Sequence, residues 1–146
     1  VRQANPVDVR VNGFEGLAGW HSRVLNVVGG YTWLDKDADY GSAMVDASYY
    51  APNYARHRLT LALVWQPADS VDVRWDNEYR RQQENSLRSS GGNAYVTSLS
   101  LSWLVLPDPG IRLNVVADNL TDSDFQEFPG TPPMGRQISM GIGIDW

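Results

Sequence analysis

Gln137-Ile138-Ser139-Met140-Gly141-Ile142-Gly143-Ile144-Asp145-Trp146 carries a large apolar side chain at every even position and a polar residue or glycine at every odd one. A period of two held over ten residues means a β-strand with one apolar face, because successive side chains point to opposite sides of a sheet. Burying that face takes either a second layer of protein or lipid.

The same pattern recurs along the chain. From Val7 to His21, Phe14, Gly16, Ala18 and Trp20 share one face, while Val9 and Val11 fall out of phase, so a bulge or a strand start is expected at Gly13. Leu25, Val27, Gly29, Tyr31 and Trp33 line a second strand, and Leu59, Leu61, Leu63 and Trp65 a third, within Arg56 to Trp65. The fourth, Val71 to Arg81, sets Val71, Val73, Trp75 and Tyr79 against a charge ladder of Asp72, Arg74, Asp76, Glu78 and Arg80, with Asn77 as the polar outlier on its apolar side. Ala94 to Leu104 and Ile111 to Asp118 give the fifth and sixth.

The connections alternate. Short turns follow the first, third and fifth strands, marked by Ser22, by Pro67 with Asp69 and by Pro107-Asp108-Pro109-Gly110. Long polar stretches follow the second, fourth and sixth, at 35–53, 82–93 and 119–135; the middle one ends in Ser-Ser-Gly-Gly-Asn and reads as a mobile loop. Trp20, Trp65, Trp103 and Trp146 close every second strand at the short-turn end, where four indoles are expected at one level. Tyr31, Trp33, Tyr79 and Tyr95 form a second belt near the other end. Two aromatic girdles around an apolar band, with short turns on one side and long loops on the other, predict an all-β, antiparallel, up-and-down transmembrane β-barrel segment of about seven strands. The turns would be periplasmic and the loops extracellular. A secreted β-sandwich that stacks sugars on its Trp and Tyr is the alternative; it would pack the leucines of the third and fifth strands against a second sheet.

Composition narrows the classes. The 146 residues include no cysteine, which excludes disulfides and thiolate metal sites. A net charge of −5 lacks the basic stripe that nucleic-acid binding needs. No apolar run approaches the roughly 20 residues of a membrane-spanning helix, a filter that half-apolar barrel strands pass. The chain opens on Val1, so a processed chain or a piece of a longer one is expected.

Asp35, Asp37 and Asp39, with Asp46 beyond, alternate as calcium-loop oxygens do, yet Gly41 falls one place late and no Glu closes the set, so an acidic solvated loop is the expectation. Asp76 and Glu78 have a spacing open to a glycosidase pair, but Arg74 and Arg80 beside them favour a structural ladder. His21 and His57 stand apart, and neither a nucleophile elbow nor a phosphate loop is present, so no catalytic residue, metal or cofactor is expected.

Asn12-Gly13-Phe14-Glu15-Gly16, the climb from Tyr31-Thr32-Trp33-Leu34-Asp35 to Gly41, the re-entry at Arg56-His57-Arg58-Leu59, and Asp118-Asn119-Leu120-Thr121-Asp122 followed by Gly135-Arg136 and the last strand resemble the C-terminal part of TonB-dependent outer-membrane receptors. Thr121, Met134, Ile144 and Trp146 depart from the family's usual residues. The resemblance implies that residues 1–146 are the closing strands of a 22-stranded barrel in a Gram-negative outer membrane. The N-terminal plug and earlier strands would lie outside this chain, and the last strand would pair with the first of the barrel. It implies lipid as one partner, TonB reached through the missing plug as another, and uptake of a scarce ligand such as a siderophore or cobalamin. Ligand contacts would come from the long-loop end, where Tyr49, Tyr50, Arg80, Arg81, Phe125 and Phe128 are the candidates.

Overall fold

A computed structural model describes residues 8–39 and 54–145. Tyr49, Tyr50, Asp46, Gly41 and Trp146 lie outside the described residues. Seven strands follow one another: β1 (Asp8–His21), β2 (Leu25–Asp39), β3 (Ala55–Ala68), β4 (Val71–Gln82), β5 (Asn93–Leu106), β6 (Gly110–Asp118) and β7 (Gln137–Asp145). They form one antiparallel sheet in sequence order, β1-β2-β3-β4-β5-β6-β7. The sheet is open, with β1 and β7 as its edges.

Opposed residues in an antiparallel ladder point to the same side, so the register assigns every side chain to a face. One rung crosses all seven strands: Trp20, Val27, Leu63, Trp75, Leu99, Ala117 and Ile138. The other face holds Arg58, Thr60 and the ladder Asp72 to Arg80, facing Ser98, Ser100 and Ser102.

The described residues build a single layer. Ala94, 4% exposed, is the one buried hydrophobic residue among them, whereas Leu59 is 52% and Leu61 39% exposed. A sandwich would cover those leucines with a second sheet, whereas the described residues form a single sheet.

Two local expectations also fail. The pairing of β1 with β2 runs from Asp8↔Asp39 to His21↔Asn26 without a shift, so Gly13 marks neither a bulge nor a strand start. Its missing side chain makes room instead: a Cβ there would stand 2.7 Å from Leu34 Cδ2 and 3.1 Å from the Trp33 carbonyl oxygen. Likewise β2 continues to Asp39, so Asp35 and Asp37 are strand residues opposite Asn12 and Arg10 rather than members of a loop. Carboxylates on alternate strand positions are about 7 Å apart and fan outward, which breaks the calcium-loop geometry. Among the described residues no group of three or more metal-binding side chains is assembled.

Irregular pairing occurs elsewhere, between Ala55 and His57, between Trp65 and Ala68, and between Leu104 and Leu106. Among the described residues no helix is long and apolar enough to cross a membrane, which says nothing of β-barrels.

Candidate functional site

The first surface of interest is the apolar face. On β1 its apolar run extends from Phe14 to Trp20, and on β7 from Ile138 to Ile144. The shared rung ends the run on β1 and begins it on β7. The band therefore crosses the strands obliquely, sliding by about one residue per strand. At about 3.3 Å per residue and 4.8 Å between strands, the slope is roughly 35°.

The tryptophans follow the same slope. Trp65 lies one rung nearer the turns than Trp20, opposite Leu25 and Val73, and Trp103 lies one rung further, opposite Val71. They share a level along the oblique band rather than along a rung.

At the loop end the band stops abruptly. On the apolar side of β1 and β2, Phe14 and Trp33 share the last apolar rung, and the next pairs on that side are Asn12 with Asp35 and Arg10 with Asp37. The opposite side carries Val9, Val11 and Leu34 there, with Lys36 opposite Val11, and nearer the turns it holds Glu15 and Thr32, then Leu17 and Val28. An unbroken strand cannot rotate its side chains, so polarity changes along continuous, regularly paired strands at that rung. This accounts for the phase mismatch for which a bulge at Gly13 was expected.

The second surface is the polar face. The charge ladder pairs within itself and across strands: Arg74 holds Asp76 at 2.6 Å, Arg80 holds Glu78 at 2.5 Å, and Arg58 reaches Glu78 from β3 at 2.7 Å. Arg112 stands 3.7 Å from Asp72. Both Asp76 and Glu78 are thus engaged by guanidinium groups.

Where β4, β5 and β6 end, a cavity of about 480 Å³ opens over this face. Arg80, Ser98 and Asp118 line it from the sheet, and Phe125, Phe128 and Met134 from the loop after β6. Arg80 lies over the Phe125 ring at 5.4 Å and meets Glu127 at 3.5 Å. Arg88, 8% exposed, lies over the same ring at 5.9 Å, and burial pushes its guanidinium below the ordinary arginine range.

Asn119 braces the loop. Its amide donates to the Ser123 and Met134 carbonyls at 3.0 and 2.6 Å, while its oxygen accepts from Ser123 N at 3.0 Å. The loop after β4, expected to be mobile, is tied across. Ser89 donates through N and Oγ to Gln126 Oε1, and Gln126 N donates to Ser90 Oγ at 3.0 Å.

Of the sequence candidates, Arg80, Phe125 and Phe128 come together in this cavity. Arg81 does not. As the next residue along β4 it points to the opposite side, into a separate space with Trp33, Arg56 and His57. Glu127 joins the site although nothing in its sequence context singled it out, Arg88 reaches it through the Phe125 ring, and Asp118 joins it from the Asp118-Asn119-Leu120-Thr121-Asp122 stretch, to which no ligand role was assigned. No protein-family model and no curated protein matches this chain.

Proposed function

We propose that this chain is a membrane-spanning segment of an outer-membrane β-barrel, the closing strands of a TonB-dependent receptor in a Gram-negative outer membrane. The observation that carries the reading is the oblique apolar band. Its slope of roughly 35° lies at the edge of the strand tilt of transmembrane barrels, about 35–45°. A water-exposed sheet has no reason to keep its apolar residues along such a line, or to follow Phe14 and Trp33 on that face at once with Asn12 and Asp35, then Arg10 and Asp37. Lipid gives a reason for both.

In this reading the polar face lines the lumen, where water and mutual pairing tolerate the charge ladder. The loop-end cavity faces the outside, as a receptor for a scarce ligand such as a siderophore or cobalamin requires. The segment's part is to hold the wall and present loop residues; energy coupling belongs to a plug and to TonB.

Charge substitution tests the membrane reading. Leu61 sits mid-band on β3 and Thr60 faces the other way. In the receptor carrying this chain, Leu61→Arg should cost about 2–4 kcal/mol of folding stability in lipid, and Thr60→Arg far less. Equal tolerance would reject it. The receptor reading is tested by uptake: ligand accumulation should collapse when TonB is deleted, and unchanged accumulation would count against it.

A further inference from the structure

The cavity over β4, β5 and β6 has a chemistry that narrows the ligand, a deduction that rests on the receptor reading above. Arg80 is the one guanidinium among its lining residues, and Arg80 and its neighbours Arg88 and Arg58 are already engaged. Arg80 meets Glu78 at 2.5 Å and Glu127 at 3.5 Å and lies on Phe125, Arg88 lies on the same ring, and Arg58 holds the second oxygen of Glu78 at 2.7 Å.

What faces the space is different. The Asp118 carboxylate has no hydrogen-bond or ion-pair partner among the described residues, Glu127 has only the 3.5 Å contact, and the Phe128 ring is 42% exposed. An anionic metal chelate would bring its charge toward Asp118 and Glu127 and find the one lining guanidinium, Arg80, occupied. A neutral polyol fits better: its hydroxyls donate to carboxylate oxygens in charge-assisted bonds, and its C–H face lies on an aromatic ring.

We infer that this cavity binds a neutral, hydroxyl-rich ligand of oligosaccharide type, with Phe128 as the stacking platform and Asp118 and Glu127 as acceptors. About 480 Å³ is within the size range of small-ligand sites.

The test is calorimetric titration of the full receptor in detergent micelles with maltotriose, cellotriose and chitotriose, and with ferric citrate as the anionic probe. At least one oligosaccharide should bind, and Phe128→Ala and Asp118→Asn should each weaken it by about tenfold. Both variants should keep the parent's heat-dependent gel mobility. The inference is overturned if no oligosaccharide of the set binds, if binding survives both substitutions, or if ferric citrate binds and is the ligand they weaken. The two readings separate cleanly. Saccharide binding that depends on Phe128 together with equal tolerance of Leu61→Arg and Thr60→Arg removes the membrane and keeps the cavity, whereas unequal tolerance without saccharide binding removes the ligand class alone.

Discussion

The phenol of Tyr95 donates a 2.8 Å hydrogen bond to the amide oxygen of Asn77, and both residues stand on the apolar face of the sheet. The same oxygen accepts from Thr97 Oγ1 at 2.9 Å, and Trp75 Nε1 donates to that hydroxyl at 2.6 Å. Nearer the loops, Tyr31 Oη and His57 Nδ1 are 2.8 Å apart with their rings stacked. A polar group facing hydrocarbon without a partner costs several kcal/mol, and these groups satisfy one another. Asn77, the polar outlier of its strand, is therefore the acceptor that lets tyrosine and threonine sit beside it.

Asn77→Leu should accordingly destabilise the folded receptor in lipid by about 1–3 kcal/mol, because the Tyr95 hydroxyl loses its acceptor. Adding Tyr95→Phe should recover part of that loss. Urea titrations of the two single variants and the double variant measure the coupling; strictly additive effects would mean that the bond contributes nothing.

The slope of the apolar band fixes tryptophan depths. Trp20, Trp65 and Trp103 should lie at equal distance from the bilayer centre, whereas Trp75 should lie deeper although it shares a rung with Trp20. Single-tryptophan receptors quenched by lipids brominated at graded depths read this directly. Equal quenching of Trp20 and Trp75 would mean that the rungs, not the oblique line, run parallel to the membrane.

Arginine placed along the outward side of β1 should reveal the boundary at Phe14. Ala18→Arg is expected to cost about 2–4 kcal/mol, Phe14→Arg about 1, and Asn12→Arg close to 0, as depth-dependent insertion costs require. Chemical denaturation in liposomes gives the profile. A flat profile would leave the polarity change unexplained by lipid.

Phe125→Ala removes the ring on which Arg80 and Arg88 both rest. Each contact contributes on the order of 0.5–1 kcal/mol, so the loops at 83–92 and 119–136 should loosen together. Amide exchange should quicken at Ser89 and Gln126 in step, while β3 keeps its protection.

The strands were legible because alternation survives wherever one face meets apolar surroundings and the other does not. Alternation measures a contrast, and it inverts where the surroundings invert. Val9 and Val11 looked like a broken phase and Asp35 to Asp39 like a loop because polarity changes along the two strands there, although the pairing through Gly13 and Leu34 is continuous. Phe125 and Phe128 stood out as aromatic residues in a polar stretch. Arg88 did not, because what matters about it is its burial between two loops that contact each other only in the fold. Arg81 was grouped with Arg80 by proximity, whereas adjacent residues of a strand take opposite faces, and it lines the separate space with Trp33, Arg56 and His57.

Direction along the sheet carries one more consequence. In this sheet β1 and β7 both descend toward the short turns, since an even number of reversals separates them. Placed side by side they would run parallel, so the sheet cannot complete an all-antiparallel ring by joining its own edges, nor can identical copies meeting β7 to β1. Any antiparallel ring that includes it must draw an odd number of strands from elsewhere, beginning and ending with strands that ascend. The direction of the strands that could close such a ring is thus a matter of parity, whatever the size of the ring.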